Sequence, residues 1–136
     1  LGIRESRRIV GEYRITEDDI LGVRKFDDRI ARGTYDIDIH NPSGTGTYIK
    51  RIPESDYYTI PYRAIIPAGS KNLLVAGRPI SSTHAAHSSF RIMPITSCIG
   101  EAAGVAAYLS AKNDCAPRDI DVSQMQEMLT ERGALV

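Results

Sequence analysis

The 136-residue chain has no tryptophan, two phenylalanines and two cysteines, and its 17 basic residues are balanced by 17 acidic ones. Each shortage excludes something. Zero formal net charge removes the long-range field that draws a protein to nucleic acid or anionic lipid, so neither partner is expected. The apolar runs are short and broken by charge or proline, well below the roughly 18 residues that span a bilayer. No secretory hydrophobic segment is present. Cys98 and Cys115 lack CxxC or Cys/His metal spacing, and no metal site is expected from them. A redox-active thiol would need a second cysteine nearby, whereas Cys115 lies more than four helical turns beyond Cys98. Cys98 therefore reads as a buried small hydrophobe in a helix of small residues. What remains is the size of one ordinary domain, with 42% hydrophobic and 25% charged residues, as in globular proteins.

Along the chain the first half is strand-rich and charged. Ile3, Ile9 and Ile15 share parity over residues 1–15, which predicts a strand. Thr16 with Asp19 three residues on predicts a short helix to about Leu21, with acidic residues in its first turn. Extended pieces are expected around Phe26 and over 35–40, and Asn41-Pro42-Ser43-Gly44-Thr45-Gly46 is turn chemistry. Residues 47–52 and 57–66 read as strands, limited by Pro53, Pro61 and Pro67. The second half changes character. Leu73-Leu74-Val75-Ala76 has the composition of a fully buried strand over 72–76. A loop over 77–91 follows, then a helix over 94–112 with Pro94 in its first turn. Asp121 with Gln124 starts a last helix over 122–132, and Gly133 stops it.

The helix over 94–112 carries the most information. Gly100, Ala103, Gly104 and Ala107 fall on one 3.6-residue stripe, and Ile95, Ile99, Ala102, Ala106 and Leu109 make a second, apolar one. Glycine inside a helix costs about 1 kcal/mol relative to alanine, so two of them four apart need a compensating reason. Tight packing against a sheet is one; a flat ligand lying across the helix is the other. The preceding strand tilts the reading towards a ligand, because crevices beyond the carboxyl ends of such strands are where α/β sheets bind. A helix amino end also favours negative charge.

The other chemistry-bearing residues admit plainer readings. His84 and His87, three apart, have no convincing third metal ligand; His84 is better suited to proton transfer or hydrogen bonding. Arg4, Arg7 and Arg8 with Glu5 read as an ion-pair lattice, with a phosphate patch as the alternative. No GxSxG elbow surrounds Ser81, Ser82, Ser88 or Ser89, which leaves a hydrolase without support. His40 reads as a strand-end residue. Tyr62 and Arg63 either line a cavity or pack beside one.

LLVAGR at 73–78, a Ser/Thr/His-rich loop, an arginine, and GEAAGVAA at 100–107 together resemble the carboxy-terminal signature of FAD-dependent oxidoreductases of the fumarate-reductase/glutathione-reductase-like superfamily. RESRRIVGEY at 4–13, DIDIHNP at 36–42 and IPYRAIIP at 60–67 extend the resemblance, over about residues 2–134, to a bacterial family of FAD-dependent oxidoreductases. The resemblance implies an α/β enzyme, here seen as an α+β piece: residues 1–66 from a β-rich substrate side, and 67–136 as the closing βα unit of the FAD domain. It implies that Gly77, Arg78 and Ser81 lie near the cofactor, with Gly77 and Arg78 by its ribityl and diphosphate. It implies that Gly100, Glu101, Ala102, Ala103 and Gly104 bring backbone amides to the flavin's pyrimidine edge, where the reduced ring carries negative charge. His84 and Arg91 would face a small-molecule substrate and act in hydride transfer between it and FAD. The GxGxxG strand–turn–helix of the family is absent from this sequence, so the partner most expected is an amino-terminal FAD-binding portion of the same protein. The piece alone is expected to be inactive, with exposed apolar surfaces that favour homo-oligomers. A non-enzymatic packing or partner-binding domain is the competing expectation.

Overall fold

The computed structural model describes residues 3–40 and 45–136. Among them are four α-helices and two small antiparallel sheets, a mixed α+β architecture. Of the turn expected at 41–46, residues 41–44 lie outside the described residues.

The first helix, α1 (Glu17–Leu21), is set by its cap. Thr16 Oγ1 accepts from the Asp19 amide, and the Asp19 carboxylate accepts in return from the Thr16 amide at 2.9 Å. That reciprocal box satisfies two orphan donors in a helix too short to stand on propensity. Asp19 also accepts from the Tyr13 hydroxyl and from Arg24. Burial raises its pKa, but the Thr16 amide, the Tyr13 and Thr16 hydroxyls and Arg24 outweigh that and hold the carboxyl below the ordinary aspartate range.

The strands pair as hairpin-like ladders. β1 (Arg29–Gly33) lies antiparallel to β4 (Tyr58–Pro61), with a register irregularity between Arg29 and Ala31. β2 (Ile37–His40) pairs with β3 (Thr47–Lys50). Gly33 stands opposite Tyr58, and a Cβ there would sit 2.5 Å from the tyrosine Cε2 and hydroxyl. The Tyr58 ring is fully buried and its hydroxyl donates to Ser89 Oγ at 2.7 Å, while that serine donates onward to the Tyr35 carbonyl. The ring has no room to retreat. Gly33→Ala is therefore expected to cost about 1–3 kcal/mol, read as a lower urea midpoint with an unchanged slope.

The second half is helical. α2 (His84–Phe90), capped by Thr83, meets α3 (Met93–Lys112) at a 95° bend. α4 (Val122–Glu131) starts at Asp121, whose carboxylate accepts from the Ser123 and Gln124 amides, and ends before Gly133 at φ 87°. The core is one cluster in which α3 packs on β1 and α4: it contains Ile95, Ile99, Ala102, Ala106 and Leu109 of α3, Ile30 and Ala31 of β1, and Met125 and Leu129 of α4, together with Ile60 and Phe90. No single helix among the described residues is long and apolar enough to cross a membrane.

Three expectations are corrected. Of the strand expected over 1–15, the described residues 3–15 make none: they carry isolated bridges at Gly11 and Ile15, to Pro67 and Ser82, and Ile3 is exposed. The loop over 77–91 contains α2. Most telling is 72–76, where the expected buried strand is absent: Asn72 lies in a bend and residues 73–76 have no regular secondary structure. Val75 donates one bond to the Ile65 carbonyl, but no strand pairs with it among the described residues, and Leu73 is exposed. An apolar run of this kind becomes a strand only where a neighbouring strand supplies the ladder.

Candidate functional site

Two features stand out, a polar cluster around α2 and an open face on α3. α2 is short because only its Thr83 cap and its buried face hold it. His84 sits at its first turn, half exposed, and its Nδ1 lies 2.9 Å from Glu5 Oε1. His87, one turn on and 1% exposed, brings Nδ1 to 3.4 Å from Glu5 Oε2, but in an orientation that leaves that nitrogen without a hydrogen-bond partner among the described residues. Arg8 ion-pairs with Glu5 and donates from Nε to the Ser82 carbonyl. Burial pushes the His87 pKa down to about 4, with Arg8, Arg91 and His84 adding to the effect and Glu5 opposing it. His87 is thus neutral at pH 7, and its approach to Glu5 is a contact, not an ion pair. Glu5 itself is held below the ordinary carboxylate range: burial acts upward, while hydrogen bonds from His84 and Arg8 prevail.

The expected pair His84 and Arg91 stands at opposite ends of α2, about 10 Å apart along a helix rising 1.5 Å per residue. Arg91 donates to the Asp38 carbonyl at 3.0 Å, and its own carbonyl accepts from Arg78 Nε at 2.9 Å. Gly77, at φ 83°, turns the chain between the apolar run 72–76 and Arg78 in a conformation that suits glycine. Ser81 is buried with its hydroxyl unpartnered among the described residues, and so is Ser82. Sequence reasoning paired Glu5 with Arg8 but did not bring them to His84 and His87, since 79 positions separate Glu5 from His84. Tyr62 packs, with its buried hydroxyl donating to the Pro117 carbonyl at 2.6 Å, and Arg63 pairs with Asp28. Among the described residues no three His, Cys, Asp or Glu side chains are arranged around a metal ion.

On α3 the two stripes separate cleanly. Ala102 faces the core, Ala103 lies at its margin, and Glu101 ion-pairs with Arg132. Gly100 and Gly104 face outward, and a Cβ built on either meets nothing within 4 Å. Close packing within the chain is therefore not what keeps them as glycine. Gly104 borders two grooves. One of about 800 Å³ runs between α3 and residues 71–74, lined by Leu73, Leu74, Ala103 and Ala107. The other, of about 460 Å³, runs towards Tyr108, Met128 and Arg132. Residues 100–104 lie beyond the first turn, so their N–H groups bond within the helix. What this face offers is close apolar contact, not the free amide donors expected there.

Gly100 and Gly104 thus leave an open face on α3 near an apolar run that has no ladder partner among the described residues. The chain matches the family model described as FAD dependent oxidoreductase over residues 1–129. It belongs to that family. No curated protein and no solved structure matches it.

Membership implies flavin oxidoreductase chemistry, with FAD the cofactor of the intact protein. The residues present fit such a group. The Gly100/Gly104 face is a surface that added side chains would fill, and the buried Ser81 hydroxyl has donor and acceptor capacity that nothing described here uses.

Proposed function

We propose that this chain is the carboxy-terminal part of an FAD-dependent oxidoreductase, completed by an amino-terminal FAD-binding portion of the same protein. The observation that carries the reading is the coincidence of an open glycine face on α3 with an apolar run, 72–76, that lacks a ladder partner among the described residues. In a completed domain that run joins the parent sheet, and the groove between it and α3 holds part of the cofactor.

When bound, the flavin supplies the reversible hydride acceptance that the chemistry needs. The chain's residues bind and orient. Gly77 and Arg78 sit at the cofactor's ribityl and diphosphate, Ser81 hydrogen-bonds beside them, and Gly100 to Gly104 press against the ring by contact. His84, its Nδ1 engaged by Glu5, turns its other ring nitrogen outward to move a proton. Arg91 uses the N–H groups not given to Asp38 to hold substrate charge. Such a half-site has no turnover by itself.

The test is spectroscopic. The protein extended upstream should carry a strand–GxGxxG–helix with an acidic residue about 20 positions later. Purified, it should be yellow, with about one flavin per chain. A folded, colourless product would refute the reading and favour a partner-binding domain.

A further inference from the structure

We propose that Glu5 is the positioning residue of His84: it fixes which ring nitrogen carries the proton and leaves Nε2 as the one that accepts a proton from the substrate. This rests on the proton-moving part given to His84 above; the geometry belongs to the chain itself.

Glu5 reaches His84 from the far end of the sequence, with Oε1 2.9 Å from Nδ1. Burial acts to raise the Glu5 pKa, yet the bonds from His84 and Arg8 keep it below the ordinary carboxylate range. At pH 7 its oxygens are therefore ionised and only accept. Nδ1 is then the donor, and in the neutral imidazole the lone pair falls on Nε2. The His84 side chain is 56% exposed, and with its Nδ1 edge turned to Glu5 the Nε2 edge is the open one. A proton leaving the substrate passes to the Nε2 lone pair. The imidazolium so formed keeps its Nδ1–H on the Glu5 carboxylate, a charge-assisted bond stronger than the neutral one it replaces.

The second observation is what holds Glu5. Arg8 ion-pairs with the same oxygen, Oε1, and donates from Nε to the Ser82 carbonyl at 3.1 Å. The next residue, Ile9, donates to the Pro79 carbonyl at 2.9 Å. Ser82, Arg8, Glu5 and His84 thus make a closed ring of contacts that begins and ends at the start of α2, around its Thr83 cap. A carboxylate held in this way sets the direction of the imidazole as well as its tautomer. His87 does not compete for it, because its Nδ1 lies 3.4 Å from the other oxygen without a hydrogen bond.

The test is the rate at which diethyl pyrocarbonate, which acylates imidazole through a nitrogen lone pair, modifies each histidine of the intact protein in neutral buffer. Glu5→Gln keeps the size of the side chain, but its amide both donates and accepts and so dictates no tautomer. It should slow modification of His84 at least about fivefold, equivalent to about 1 kcal/mol. His40, exposed at the end of β2, should keep its rate. A glutamate that merely anchors residues 4–8 predicts the opposite, since its loss would uncover the ring. An unchanged or faster rate at His84 therefore overturns the proposal. Buried His87 reports the fold by staying unmodified. Should it react in the variant, nitrogen-15 spectra of the histidine-labelled wild type decide instead: neutral His84 should carry its hydrogen on Nδ1, and a hydrogen on Nε2 overturns the proposal equally. Flavin content of the same samples separates the two claims. A yellow protein whose His84 ignores Glu5 sinks the pairing alone, and a colourless one that shows the slowing sinks the oxidoreductase reading alone.

Discussion

Gly104→Leu is expected to abolish FAD binding by the intact enzyme while leaving the fold of this chain at least as stable as before. The two effects have opposite signs because they come from different surroundings. Within the chain, a Cβ at Gly104 meets nothing within 4 Å, and removing glycine from a helix interior gains about 1 kcal/mol on the alanine scale, with leucine close behind. Towards the outside, the leucine side chain would project where the grooves of about 800 and 460 Å³ meet, which is where the proposed ring needs a flat surface. Flavin per chain, from the visible absorbance of purified protein, should fall at least about tenfold, while the thermal midpoint of the chain holds or rises. Gly104→Ala should show the same stability gain with a smaller loss of flavin. A yellow leucine variant would mean that the glycine face serves something other than the cofactor.

Where local chemistry decides the structure, the sequence was legible. The Thr16/Asp19 box, Pro94 at a helix start, the Asp121 cap and Gly133 each act within four residues of themselves, and the helix boundaries they imply hold to within a residue or so. α2 was not legible. Its seven residues HAAHSSF show little amphipathic pattern, and what makes them helical is distant: Tyr58 and Tyr35 gripping Ser89, and Glu5 gripping His84. The run 72–76 failed for the converse reason. Its composition suits a buried strand, but no strand pairs with it among the described residues, and Leu73 stands exposed. The small-residue stripe was visible as a pattern, but only the structure separates Gly100 and Gly104, which face outward, from Ala102, which is core. Gly33 gave no sequence signal at all, because the need for it is the ring of Tyr58 across the ladder.

The largest pH effect is expected from His87. In the unfolded chain its imidazole titrates at the ordinary 6.5; in the fold, burial, aided by Arg8, Arg91 and His84 and opposed by Glu5, lowers that to about 4. The folded state thus refuses a proton that the unfolded state accepts. Stability is full above about pH 6.5 and is lost as the pH falls from there towards 4. The gap, at about 1.36 kcal/mol per pH unit, comes to about 3 kcal/mol, a large share of the total for a domain of this size. The carboxyls of Glu5 and Asp19, both held low, add their own losses mainly below the ordinary carboxylate range near 4.5. The window from 6.5 to 5 therefore belongs to the histidine. Urea midpoints of the wild-type chain should fall steadily across it, while those of His87→Gln, which fills similar space without titrating, should stay flat even if the variant is less stable at pH 7. A wild-type profile that is level from pH 7 to 5 would mean that His87 already finds solvent or a partner for its proton, and that Glu5 reaches it as a true ion pair.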